Sequence, residues 1–183
     1  GTVGLVEGML AAGVRQIVFS SSAAVYGNPD QLPITESAAI KPENVYAETK
    51  AMMERIISWY GVTHDLRWVS LRYFNAAGAS SDGVLGENWD ITTNLIPLVM
   101  KAALGASGPL PVLGNDYPTP DGSAIRDYIH VCDLAEAHVK ALKHLLEQKE
   151  ASSYYDFFNI GTGDGTSVLE IIQAFEKTTG EKV

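Results

Sequence analysis

Positive charge is scarce in this sequence. Thirteen lysines and arginines stand against 22 aspartates and glutamates, a formal net charge of −9 over 183 residues, with a sequence pI near 4.8. A surface of that sign repels phosphate backbones and anionic headgroups, which argues against nucleic acid or a membrane as the main partner. A small anionic ligand stays open, because one arginine in a pocket can hold a phosphate. Cysteine is almost missing. Cys132 stands alone, so no intrachain disulfide is expected, a reducing cytoplasm fits, and the residue itself reads as a small buried apolar side chain. No run reaches the about 18–20 apolar residues that a membrane helix needs. No basic stretch precedes an apolar one near Gly1, so no signal peptide is read. A strand followed by GxGxxG or GxxGxxG is also lacking. Gly161-Thr162-Gly163-Asp164-Gly165 comes nearest, but it lies late and its spacing is wrong, so it reads as a tight αβ connection.

What is present suits a folded chain. The hydrophobic fraction is 46% and the charged fraction 19%, enough for a core of one domain or one and a half. Apolar residues from Val3 to Leu10 predict a helix over the first dozen residues, stopped at Gly13. Gln16–Ser20 reads as a strand buried on both faces, followed by Ser21, Ser22 and a loop to about Asn44. A helix is predicted over Val45–Tyr60, with Met52, Met53, Ile56, Ile57 and Tyr60 as its buried stripe. Arg67–Phe74 reads as a second buried strand, and Asn75–Gly78 as a loop. A helix near Asn94–Leu104 carries Pro97 in its first turn, where proline is tolerated. Leu110–Leu113 and Asp127–Val131 read as short strands. Asp133 is placed as the cap of a helix to about Gln148. Phe157–Ile160 is strand-like, and Ser167 is placed as the cap of the last helix. Strands alternating with helices indicate an α/β fold with a mostly parallel sheet.

The chemistry centres on Tyr46 and Lys50. On a helix, residues i and i+4 share a face, so a phenol lies near an ammonium. Free tyrosine titrates near pH 10 and is a poor base at neutrality, and a nearby cation favours the phenolate. YxxxK alone also describes many solvated helix faces. Its context here is more specific, because Ser20, Ser21 and Ser22 precede it at the carboxyl end of a buried strand. Ligands of open α/β sheets bind at that edge, and a serine hydroxyl there can both give and take a hydrogen bond. Plainer readings stand beside these. Arg126 and Asp127 can be a structural ion pair, Asn75 can shape a turn, and His130 reads as structural. Ser20 and Ser21 can simply close the strand, and Tyr26 and Tyr73 read as packing residues.

Three stretches carry a resemblance: Phe19-Ser20-Ser21-Ser22-Ala23-Ala24-Val25-Tyr26-Gly27, Pro42-Glu43-Asn44-Val45-Tyr46-Ala47-Glu48-Thr49-Lys50, and Leu71-Arg72-Tyr73-Phe74-Asn75. Together they resemble the extended short-chain dehydrogenase/reductase family. Tyr73 to Ala79, Gly114 to Gly122 and Ile125 to Ala135 look like its UDP-glucose 4-epimerase branch, and the last two are long and specific. The resemblance covers nearly the whole chain. It implies an incomplete Rossmann-type parallel sheet with part of a smaller α/β substrate domain. Residues 1–80 would be the C-terminal part of the NAD-binding domain and 81–183 part of the UDP-sugar domain. The segment 127–147 has the option of packing back on the Rossmann sheet.

By the same resemblance, Tyr46 would be the catalytic base and acid. Lys50 would hold the nicotinamide ribose and favour the phenolate of Tyr46. An exposed lysine alone falls short of the about 4 kcal/mol needed to bring a phenol near neutrality, and an oxidised nicotinamide ring would add a second positive charge. Ser22 would bond the sugar 4-oxygen and contact the cofactor site, and Phe74 would line the nicotinamide. Asn75, Asn94 and Leu95 would contact the UDP-sugar, Pro111, Val112 and Leu113 would flank the uracil, and Arg126 would bind the diphosphate. No metal is implied.

The implied activity is interconversion of UDP-galactose and UDP-glucose through a transient 4-keto sugar with enzyme-bound NAD, serving galactose metabolism. A uronate or pentose 4-epimerase stays open, as does an inactive truncated protein. A 4,6-dehydratase fits poorly, because Ser22-Ala23-Ala24 stands where those enzymes carry a carboxylate. Two departures matter: Val45 replaces the proline usual before the tyrosine, and Ala24 stands where many relatives carry threonine. The family's glycine-rich βαβ unit is not in these residues, so this stretch alone is expected not to turn over substrate. A homodimer is implied for the full-length protein, through helices like that of Tyr46.

Overall fold

The computed structural model describes residues 1–148 and 153–183. Along the chain run α1 (Thr2–Ala11), β1 (Gln16–Ser20), α2 (Val45–His64), β2 (Arg67–Tyr73), β3 (Asn75–Ala77), α3 (Leu95–Ala103), β4 (Ile125–Arg126), β5 (Tyr128–His130), α4 (Val131–Glu147), β6 (Tyr154–Ile160), β7 (Thr166–Ser167) and α5 (Val168–Thr179). Two 3-10 turns, Ala23–Tyr26 and Trp89–Ile91, interrupt the loops. The chain forms two compact units. The first is Gly1–Phe74 with Asp133–Gly161, and the second is Asn75–Cys132 with Thr162–Val183.

The first unit is built on a parallel sheet of order β1-β2-β6. Its central strand β2 is buried from Trp68 to Arg72, and successive side chains leave a strand on opposite faces. Trp68 joins Val6, Ile57 and Leu66 on the α1/α2 side. Val69 and Leu71 pack with Ala141 and Leu145 of α4. Asn44 starts α2: its side chain accepts from the Ala47 N–H at 2.8 Å, which satisfies a donor with no partner inside the helix. The helix runs on to His64 and stops at Asp65, which is left-handed with φ 54°.

The face that α2 buries differs from the expected one. Ala47, Ala51, Glu54, Ile57 and Gly61 are buried, whereas Met52 is 48% exposed. The small residues let the helix lie close to the sheet; a Cβ on Gly61 would stand 3.1 Å from the Trp68 ring nitrogen. That close approach turns Met52 outward.

Glu54 lies among polar partners. Arg72 donates to both its carboxylate oxygens, at 3.0 and 2.7 Å, and Ser70 donates at 2.7 Å. Arg72 also donates to the Tyr26 hydroxyl, which donates to Asn159. Burial works against the Arg72 charge, but the bonds to Glu54 and Tyr26 outweigh it and hold the guanidinium firmly protonated. Tyr26 is therefore part of a buried polar chain as well as a packing residue.

In the second unit, β3 pairs parallel with β5 and β4 pairs antiparallel with β7. β3 falls where a loop was expected, and β7 was not expected at all. Leu110–Leu113 forms no strand. Pro111 has no N–H to donate to a ladder, and Leu113 is 83% exposed. Asp133 is not a cap either. α4 begins at Val131, and the ring of His130 accepts from the Cys132 N–H at 3.2 Å. Asp133 then lies in the first turn, where a negative charge suits the helix dipole. Cys132 is exposed, not buried. Ser167 does cap α5, in a reciprocal capping box with Glu170.

Candidate active site

In the first unit, the expected residues gather at the carboxyl end of the parallel sheet. Lys50 projects from α2, and its ammonium donates to the Ser20 carbonyl at 2.8 Å. The same ammonium stands 5.3 Å from the ring centre of Phe19 and 5.6 Å from that of Tyr46. Tyr46 occupies the first turn of α2 and is 52% exposed, so its hydroxyl is open to a ligand. Ser22 sits just past β1. Its hydroxyl oxygen accepts from the Ala24 N–H at 3.2 Å and caps the 3-10 turn, which leaves its proton to donate elsewhere. Phe74 is half-buried against Ala23, Val25, Tyr26 and Ala51.

One neighbour of this group, His138, escaped the sequence reading, and another, Tyr73, was read as packing alone. The Ser20 hydroxyl lies 2.8 Å from Nε2 of His138, whose Nδ1 lies 2.8 Å from the Leu134 carbonyl. Tyr73, at the end of β2, is held above its ordinary range by burial and by the proximity of Tyr46, with a hydrogen bond to Ser20 acting the other way. A lone histidine on a helix carries no signal in sequence, because nothing there says which strand end it meets. Ser21 is fully buried, and its hydroxyl has no hydrogen-bond partner.

The second unit contains a cavity of about 910 Å³. Asn75, Asn94, Leu95, Pro111, Leu113 and Arg126 all line it. Val112, the remaining residue expected there, does not. Glu87, which sequence reasoning missed, also lines the cavity, and it accepts from the Asn94 side-chain amide at 2.8 Å and from the Thr92 hydroxyl. It thereby fixes the amide of Asn94. Arg126 is exposed and donates to its own neighbour's carbonyl, that of Ile125, at 2.7 Å.

Asp127 is not the ion-pair partner of Arg126. Its carboxylate accepts the N–H groups of Thr162 and Gly163, each at 2.9 Å, and the Thr162 hydroxyl at 2.8 Å. Two backbone donors of the Gly161–Gly165 turn are thus taken by this chain's own carboxylate rather than offered to a phosphate, in keeping with a connection. It also leaves the charge of Arg126 beside the cavity. Tyr128, another lining residue, is raised by burial, with Arg126 acting against the shift.

Residues 1–161 match the model of the NAD dependent epimerase/dehydratase family. The chain is 46% identical over 180 residues to the UDP-glucose 4-epimerase of Lactobacillus helveticus, covering 98% of this chain and 53% of that protein. Among solved structures, UDP-glucose 4-epimerase from Brucella ovis in complex with NAD superposes with a TM-score of 0.93 at 48% identity, covering 100% of this chain and 55% of that one. The enzyme from Bifidobacterium longum in complex with NAD+ and UDP gives 0.89 at 42% identity, covering 100% and 54%. The chain therefore spans about half the length of the curated relatives it matches. A parallel sheet with a tyrosine–lysine pair at its carboxyl edge, matched to the family over 161 residues, makes the chain a member of the NAD-dependent epimerase/dehydratase family.

Proposed function

We propose that the protein carrying this chain interconverts UDP-galactose and UDP-glucose by inverting C4 through a 4-keto sugar, with NAD as the bound cofactor. The observation that carries this reading is the Tyr46–Lys50 pair, its ammonium anchored to the Ser20 carbonyl at the sheet edge. The names of the relatives described above support the substrate. The residues at the sheet edge suit a dinucleotide: the Lys50 ammonium has one fixed acceptor and two further N–H groups for ribose hydroxyls, and Phe74 offers an apolar wall.

When bound, NAD supplies the reversible oxidation at C4. Tyr46 takes the proton of the 4-hydroxyl as base and returns it after the keto sugar has turned over. Ser22 donates its hydroxyl hydrogen to the 4-oxygen. Lys50 keeps positive charge near the phenolate. In the second unit, Arg126 holds the diphosphate, Asn75, Asn94 and Leu95 contact the nucleotide sugar, and Pro111 to Leu113 flank the uracil. Holding the UDP firmly and the sugar loosely is what lets the keto sugar present either face. The first unit, Gly1–Phe74 with Asp133–Gly161, then serves as part of the NAD-binding domain, and the second, Asn75–Cys132 with Thr162–Val183, as part of the UDP-sugar domain. The cytoplasm suits a chain whose single cysteine is exposed and free.

The exposed stripe of α2 supports a homodimer. Val45, Met52, Trp59 and Val62 are 82%, 48%, 71% and 70% exposed. The first three recur every seven residues, which puts them on one helix face. To test the activity, the protein with its natural termini is assayed for UDP-galactose to UDP-glucose conversion without added reductant, beside Tyr46→Phe. The parent converts the sugar, and the variant loses activity by about 10²-fold or more. A parent that binds NAD and a UDP-sugar yet yields no C4 epimer refutes the substrate assignment.

A further inference from the structure

The carbonyl that receives the Lys50 ammonium belongs to a residue that is itself anchored. Ser20 ends β1, and its hydroxyl lies 2.8 Å from Nε2 of His138 on α4. The other ring nitrogen, Nδ1, lies 2.8 Å from the Leu134 carbonyl one turn earlier. A carbonyl oxygen only accepts, so Nδ1 carries the hydrogen. Nε2 of the neutral ring is then an acceptor, and Ser20 donates to it. Both ring nitrogens are occupied and the imidazole is locked in one tautomer. The ring also lies against Tyr73, centre to centre 6.3 Å. Ser20 is therefore held through its side chain by α4, through its carbonyl by Lys50, and along the backbone by pairing with Leu71.

We propose that Ser20 and His138 are positioning residues for Lys50: His138 fixes Ser20 from α4, and Ser20 fixes the ammonium beside the ring of Tyr46. Neither residue touches the reacting atoms. The inference rests on the reading of Tyr46 and Lys50 given under Proposed function. Its physical basis is that an ammonium on a four-carbon stem has many rotamers. A carbonyl that cannot swing away selects one of them before ligand arrives. Leu134 and His138 are both part of α4, so the helix contributes to the site without supplying a catalytic group.

The test uses the protein with its natural termini and four variants: S20A, H138F, H138Q and the S20A/H138F double. Glutamine keeps an acceptor near the Nε2 position, and phenylalanine fills the space without one. S20A and H138F are expected to lower kcat by up to about tenfold, the rate equivalent of one lost hydrogen bond between neutral groups. KM for the UDP-sugar stays within about twofold, because uniform binding is untouched. H138Q recovers most of what H138F loses, and the S20A/H138F double variant is no worse than either single one, as expected for one shared contact. A second readout does not depend on turnover. The rate at which an amine-directed acylating reagent modifies Lys50, followed by mass spectrometry, rises several-fold in S20A and H138F.

Unchanged kcat and unchanged Lys50 labelling overturn the inference. So does a loss in which H138Q is as poor as H138F and KM rises in step. If the parent itself fails to epimerise UDP-galactose, the functional reading falls, and the labelling rates still decide whether Ser20 and His138 hold Lys50.

Discussion

Single side chains carry unusual weight in the first unit, and Arg72 carries the most. Its bonds reach Glu54 on α2 and Tyr26 in the 3-10 turn, and Tyr26 passes the contact to Asn159 on β6. The guanidinium also stacks 4.1 Å from the Phe157 ring centre. Replacing a buried ion pair with apolar groups can be neutral, but removing one partner leaves the other charge stranded. Arg72→Met is therefore expected to cost about 3–5 kcal/mol in urea unfolding. Adding Glu54→Leu to it should restore part of that loss. A loss no larger in Arg72→Met than in the double variant would contradict the pairing. This network was legible only in part: Tyr26 and Arg72 lie in motifs, yet Glu54 lies outside them and outside the apolar stripe expected for α2.

At the level of elements, much of the layout follows from local rules and the misses have local causes. β1, the start of α2 and the cap of α5 are where periodicity and capping chemistry put them, although α2 runs four residues beyond the expected Tyr60. β3 and β7 are too short to leave a periodic trace and exist because β5 and β4 lie alongside. Leu110–Leu113 had the composition of a strand but found no partner. His130 took the capping role assigned to Asp133, which no pattern of cap residues announces. Of the second-unit cavity residues, Asn75 and Arg126 lie in quoted motifs and Asn94, Leu95, Pro111 and Leu113 followed only from the resemblance as a whole, whereas Glu87 and His138 stand outside any motif and are defined by what they reach in space.

The loop-to-helix joint before α5 offers a measurable element-level property. Asp121 lies below its ordinary range, chiefly because the Ser167 hydroxyl donates to it, with the N–H and hydroxyl of Ser123 adding to the effect. A carboxylate whose folded value is depressed stabilises the fold above its unfolded value, and the gain disappears as pH falls through the folded one. The melting temperature of the parent should exceed that of Asp121→Asn at pH 7, and the gap should close as pH drops below about 4. A gap independent of pH would mean that the carboxylate charge is not what matters at this joint.

For the whole molecule, the prominent open question of surface is the stripe on α2. If Val45, Met52, Trp59 and Val62 meet a second copy, the protein with its natural termini should have twice the monomer mass in light scattering. Trp59→Glu, which places a charge at the most bulky of these contacts, should shift it toward the monomer without unfolding it. A monomeric parent would leave those side chains in need of another partner. No helix among the described residues is long and apolar enough to cross a membrane.

The order of strands has a consequence for synthesis. β2 lies at the centre of its sheet, yet its second neighbour β6 comes only after residues Asn75 to Cys132 and the length of α4. As the chain leaves the ribosome, β2 can pair with β1 at once, but its other edge stays bare until Ile160 has emerged. A bare, apolar parallel edge is a template for the wrong strand. The nascent chain is thus open to misassociation in that interval, and a pause in translation between residues 74 and 160 would lengthen the hazard rather than help the fold.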